Sequence, residues 1–176
     1  IAPDHLLVEK ELCSKLIKNM KKEIKSFYGE APLKSNNLAK IINENHFNRL
    51  TKLIEQAKIN KQIIFGGEFD SDSRCISPTL VQITDRNDSL MQEEIFGPIM
   101  PILIIKDLKS ALNEIQKLPK PLAIYLFGGG QKEQTLAIEN TSSGGLCFND
   151  VVIHAGIPDL PFGGVGASGM GKYHGK

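Results

Sequence analysis

The stretch PILIIKDLKSALNEIQKLPKPLAIYLFGGGQKEQTLAIENTSSGGLCF, residues 101–148, decides how the chain folds. Pro101 to Ile105 is apolar on both faces, as a buried parallel strand must be. Asp107 then offers its side chain to the free N–H groups of a helix running through Ala111, Leu112 and Ile115. Ala123 to Phe127 reads as the next buried strand. Gly128-Gly129-Gly130 turns the chain into a helix that ends near Thr141, and Leu146-Cys147-Phe148 is a further strand. Strand alternating with helix in this way implies right-handed crossovers and a parallel sheet, hence an α/β fold.

Toward the N-terminus the pattern continues. His5 to Glu9 reads as a short strand, and Leu12, Leu16, Ile17, Met20, Ile24 and Phe27 recur at helical spacing until Gly29. Cys13 lies beside that stripe and reads as a small core residue. A second amphipathic helix is predicted from Glu44 to Ile59, with Phe47, Leu50, Ile54 and Ala57 facing inward. His46 and Arg49 share another face of it. Ile63-Ile64-Phe65 reads as a strand, and so does Ile76 to Ile83, with Pro78 demoting its start to an edge.

The totals bound the function. With 176 residues, 41% hydrophobic and 23% charged, the chain is an ordinary globular sequence. A net charge of +1 gives no general pull toward nucleic acid. The charge is uneven. Residues 1–65 hold twelve Lys/Arg against seven acids, residues 66–100 two against seven, so the first segment reads as a solvated basic face or a phosphate-binding patch. Apolar runs such as Ile102 to Ile105 are far shorter than the roughly 18 residues a membrane span needs. Cys13, Cys75 and Cys147 are widely spaced and odd in number, which argues against a disulfide framework or a zinc site and fits a reduced, cytoplasmic setting. Residues 144–176 hold nine of the sixteen glycines. A chain opening at Ile1 and closing on such a segment reads as interior sequence of something longer.

Ligands of open α/β sheets gather outside the carboxyl ends of the strands, so the loops 128–130 and 148–157 and the glycine-rich tail are the candidates. The tail, PFGGVGASGMG, has neither GxGxxG opening a helix nor a P-loop pattern, and reads better as backbone packed on backbone. The other feature is QEEIFGP, residues 92–98. In an extended segment neighbours point opposite ways, so one of Glu93 and Glu94 can serve structure while the other faces a cleft with Phe96. A carboxylate can accept two hydroxyl protons from a ribose diol, and a flat ring can pack beside a planar heterocycle. A Glu paired with a nearby Lys is the competing reading.

Ile1-Ala2-Pro3-Asp4, Glu93-Glu94-Ile95-Phe96-Gly97-Pro98, Ser143-Gly144-Gly145, Asn149-Asp150 and Pro161-Phe162-Gly163-Gly164, in this order over essentially the whole chain, resemble the catalytic half of the NAD(P)-dependent aldehyde dehydrogenases. FYGE at 27–30, MQEEIFGPIMPI at 91–102 and PFGGVGASGMGKYHG at 161–175 resemble in particular the class 3 and fatty aldehyde branch. The resemblance implies a three-layer α/β/α catalytic domain over residues 1–176, incomplete at both ends and without the cofactor domain. It implies that Glu94 holds the nicotinamide ribose of NAD or NADP, with a base role as a lesser option, and that Phe96 flanks the ring. Glu93 is left structural. His46 and Arg49 fall on the helix that approaches the adenosine ribose. Phe162 matches the inner end of the aldehyde tunnel, and Val152, Ala155 and Gly156 its mouth, where small residues would admit bulky or long aldehydes.

The family's reaction is covalent: a cysteine thiolate adds to the aldehyde, hydride leaves, and the thioester is hydrolysed, with an oxyanion hole supporting the tetrahedral species. The matching nucleophile would lie immediately before Ile1. Cys13, Cys75 and Cys147 match no such position, so no catalytic residue is expected within the chain, and the isolated 176 residues are expected to be inactive. The parent is expected to be a homodimer acting on an aldehyde, with a membrane tail possible. Two alternatives stand beside this: an inactive stand-alone module acting in assembly, and an acylating relative that passes its thioester to coenzyme A.

Overall fold

A computed structural model describes residues 1–175; Lys176, the last residue of the expected domain span, lies outside it. The chain divides into two compact units, one running from Asp4 to Ile105, the other joining Ile1–Pro3 to the chain from Lys106 onward.

The first unit contains β1 (Leu6–Glu9), α1 (Lys10–Tyr28), α2 (Glu44–Ile59), β2 (Ile63–Phe65), β3 (Phe69–Asp70), β4 (Cys75–Ile76), β5 (Thr79–Ile83) and β6 (Ile99–Ile105). Its main sheet has the order β1-β6-β5-β2. β6 runs parallel to both neighbours, Leu6 opposite Ile102 and Thr79 opposite Ile99, while β2 is antiparallel to β5. Alternation along the strands gives each face its own core. Val81, Ile83, Ile99 and Leu103 pack with Phe47, Leu50, Ile54 and Ala57 of α2. Leu80 and Ile102 point the other way, toward Cys13, Leu16, Ile17, Met20 and Ile24 of α1. The sheet is thus sandwiched between two helices, each laid down by its own apolar stripe. Asn43 caps α2 by accepting the His46 N–H at 2.9 Å, and Gly29, at φ 77°, ends α1.

The strand expected over 76–83 is two strands. Ser77 and Pro78 separate β4, which pairs with β3 in a small hairpin sheet, from β5. Pro78, lacking an N–H, interrupts the ladder without making an edge, for β5 lies between β6 and β2. Thr79 fastens the crossing: its Oγ1 accepts the Gly67 N–H at 3.0 Å and donates to the Ser77 carbonyl at 2.8 Å.

The second unit contains α3 (Leu108–Gln116), β7 (Ala123–Leu126), α4 (Gln131–Asn140) and β8 (Gly145–Phe148). β7 and β8 are parallel, Ala123 opposite Gly145. Asp107 caps α3 as expected, accepting the Ser110 N–H at 2.8 Å. Two expectations for 101–148 change. β6 pairs with β1 and β5 and β7 with β8, so these strands form separate ladders rather than one. Ala123 to Leu126 is also half-buried rather than fully buried. Parallel pairing still predominates, and the α/β class stands. The glycine-rich tail packs backbone on backbone: a Cβ on Gly164 would come within 2.2 Å of the Ser168 carbonyl oxygen. Among the described residues no helix is long and apolar enough to cross a membrane, and no three His, Cys, Asp or Glu side chains cluster as a metal site would require.

Candidate functional site

In the first unit the site is built on the loop between a short 3-10 turn, Ser89–Met91, and β6. Ile95 is its anchor, with 1% of its surface exposed in the core shared with α2. Both of its backbone groups are held by charged side chains. The N–H donates to Asp4 Oδ1 at 2.9 Å, and the carbonyl accepts from Arg49 Nη2 at 2.5 Å. The other arm of the same guanidinium reaches Glu93 Oε1 at 3.2 Å. Gly97 then lies on α2 so closely that a Cβ there would stand 2.6 Å from Leu50 Cδ1. With Ile95 drawn inward, the residues on either side of it turn outward. Glu94 is exposed, and Phe96 is 70% exposed with φ 48°, a left-handed conformation costly for an aromatic residue. Among the described residues the Glu94 carboxylate has no hydrogen-bond or ion-pair partner.

Asp4 sits in a mixed environment. Burial pushes its carboxyl up, but the polar contact with His5, the bond from Ile95 and the charges of His5 and Arg49 outweigh it. The net effect holds Asp4 below its usual range. His5 Nδ1 is 3.7 Å from the second carboxylate oxygen, too far for a hydrogen bond. Of the residues expected on the cofactor side, the structure brings Arg49 onto the loop that carries Glu94 and Phe96. His46 is half-buried in the first turn of α2.

In the second unit Val152, in a left-handed conformation at φ 64°, opens a 3-10 turn over Ile153–Gly156. Val152 and Gly156 are exposed, and Ala155 is half-buried. Phe162 is held by paired backbone hydrogen bonds with Tyr173, at 2.9 and 2.6 Å. Beside it is an open depression of about 400 Å³, lined by Phe162, Gly163, Gly164, Met170 and Tyr173. What ties the turn to Phe162 is His154, which sequence reasoning missed. Its ring is 5.6 Å from Phe162 and 6.0 Å from Tyr125, and its Nδ1 lies 3.1 Å from Cys147 Sγ. Tyr125 in turn donates its hydroxyl to the Ile1 carbonyl at 2.8 Å. Burial pushes the Tyr125 phenol up, a backbone hydrogen bond at Val152 opposes this, and the Cys147 thiol adds to it. The one available signal was chemical: one of only four histidines, within a loop already suspected.

The model of the aldehyde dehydrogenase family matches residues 1–176. The chain belongs to the aldehyde dehydrogenase family. Relatives of this aldehyde dehydrogenase chain include mouse aldehyde dehydrogenase family 3 member A2, 47% identical over the whole chain and 36% of that protein. The rat protein named "Aldehyde dehydrogenase, dimeric NADP-preferring" is 44% identical over the whole chain and 38% of its own length. Among solved structures, a substrate-bound state of Staphylococcus aureus AldH superposes with a TM-score of 0.94 at 43% identity, covering 99% of this chain and 38% of that one. The chain therefore spans somewhat over a third of the length of the relatives it matches.

Proposed function

We propose that these residues form the catalytic domain, over 1–176, of an aldehyde dehydrogenase that oxidises an aldehyde to its carboxylic acid with NAD or NADP. The observation that carries this is the Glu94–Phe96 pair. A buried, doubly bonded Ile95 presents on either side of itself a carboxylate unpartnered among the described residues and an exposed ring. These groups fit a nicotinamide nucleoside: Glu94 accepts the ribose hydroxyls and Phe96 lies against the ring, while His46 and Arg49 belong to the helix, α2, assigned to the adenosine ribose. The dinucleotide supplies a hydride acceptor.

The attacking cysteine would stand immediately before Ile1, and Tyr125, bonded to the Ile1 carbonyl, would steady the backbone that follows it. Phe162 with Val152, Ala155 and Gly156 receives the aldehyde, and His154 keeps turn and ring together. The names of relatives support the cofactor class, a dimer and an aldehyde substrate: the rat protein is "dimeric NADP-preferring", and a Staphylococcus aureus relative at 44% identity is a "4,4'-diaponeurosporen-aldehyde dehydrogenase". Action in the cytoplasm fits the three free thiols.

The test is single-turnover formation of NAD(P)H by the full-length protein carrying Glu94→Gln. Displacing the cofactor slightly should slow hydride transfer on the order of a hundredfold. An unchanged rate would remove Glu94 from the site.

A further inference from the structure

We propose that Asp4 and Arg49 act together as positioning residues, a two-sided clamp on Ile95 that sets the pose of Glu94 and Phe96 for the cofactor. The inference rests on the cofactor reading of those two residues and adds to it a cause for their geometry.

Ile95 has one N–H and one carbonyl, and side chains distant in sequence take both: Asp4, 91 residues away, and Arg49, 46 away. Burial of the Ile95 side chain fixes its depth but does not by itself fix the orientation of the backbone groups on either side of it. A hydrogen bond on each backbone group removes that freedom. The third bond, from Arg49 to Glu93, fixes the residue on the far side of Glu94, so Glu94 lies between two restrained neighbours. The left-handed Phe96 follows directly, and such a conformation persists only where the surroundings impose it. Gly97 on Leu50 supplies the downstream stop. The upstream stop is Asp88, whose side chain accepts the Leu90 N–H at 3.0 Å.

Both clamping bonds are charge-assisted, the strong kind of hydrogen bond. The guanidinium fork serves two acceptors at once, which a lysine ammonium on a flexible stem does not reproduce in one geometry. Arg49 therefore works through the loop, and neither it nor Asp4 needs to touch the reacting atoms.

The experiment measures NAD(P)H affinity by fluorescence titration, and single-turnover hydride transfer, in the full-length protein. The variants are Arg49→Ala, Arg49→Lys, Asp4→Ala, Asp4→Asn and Glu94→Gln, with Arg49→Ala also combined with Glu94→Gln. Asp4→Ala should weaken NAD(P)H binding on the order of ten- to a hundredfold, the weight of one charge-assisted bond, and Arg49→Ala, which removes two, by at least as much. Asp4→Asn keeps an oxygen for the Ile95 N–H and should recover most of the loss, while Arg49→Lys should recover little. Because the clamp acts in part through Glu94, the losses in the double variant should be clearly less than multiplicative. Should Arg49→Ala fail to fold, Arg49→Lys and Asp4→Asn carry the comparison.

A Glu94→Gln defect with no defect in the Arg49 and Asp4 variants overturns the clamp and leaves the cofactor reading intact. Multiplicative losses in the double variant overturn it too. No defect in any variant overturns both.

Discussion

Replacing Gly97 by alanine tests the packing of the loop on α2 in isolation from its charges. A Cβ at 97 would lie 2.6, 2.9 and 3.3 Å from Leu50 Cδ1, Cδ2 and Cγ. Carbon atoms prefer about 3.5–4.0 Å, so the nearest overlap is about one ångström. Leu50 is completely buried among Phe47, Ile54, Ile95 and their neighbours, so its end groups have nowhere to retreat. Overpacking of this kind costs about 1–3 kcal/mol. Leu50→Ala alone should cost about 2–5 kcal/mol, because it empties part of the core. In the double variant the new methyl occupies space that the leucine has vacated, so the combined loss should fall short of the sum by about 1 kcal/mol or more. Equilibrium urea unfolding followed by circular dichroism gives the three midpoints. Losses that add to within about 0.5 kcal/mol, or a neutral Gly97→Ala, would refute the contact.

Thr79→Val keeps the shape of a buried side chain but strips the Gly67 N–H of its acceptor, so it should destabilise by about 1–3 kcal/mol in the same assay; Thr79→Ser should cost clearly less. Asp4 gives a pH signature. Its carboxyl is held below the ordinary 3.8, so the charged form favours the folded state. That contribution is complete above the unfolded value and is lost as pH falls through the lower folded one. Asp4→Asn should therefore flatten the acid limb of the stability profile below about pH 4. Profiles that stay parallel would show that Asp4 contributes nothing there.

The helices were legible in the sequence because their causes are local. α2 runs over the predicted Glu44–Ile59, since four apolar residues at helical spacing set its buried face. The same holds for Asp107, whose cap is three residues from its partner. The sheet was less legible. The apolar run at 101–105 announces a buried strand but not its neighbours, and β6 finds them in segments far away, at Leu6–Glu9 and Thr79–Ile83. Pro78 misled for a related reason: a proline excludes one ladder position, while the place of the following strand in the sheet is decided by tertiary packing. His154 lay outside any periodic pattern. Its surroundings come from β7, β8 and the Phe162 segment, which meet only in the folded chain.

The doubled acid at 93–94 was half legible. The sequence shows that two adjacent carboxylates in an extended loop face opposite ways, but not which partner takes the first. The structure assigns Glu93 to Arg49, 44 residues back on α2, and with that the parity of the segment is set: Ile95 into the core, Glu94 and Phe96 out. Parity is a two-valued quantity, and a slip by one residue would bury Glu94 and Phe96 and expose Ile95. Burial of a lone carboxylate is among the costliest events in folding, so the slipped arrangement is strongly disfavoured. The second acid is thereby kept at the surface by the same physics that gives the first its salt bridge. The segment is best understood as one structural device: an acid to bind the helix, an isoleucine to bind the core, and a carboxylate and ring left facing outward.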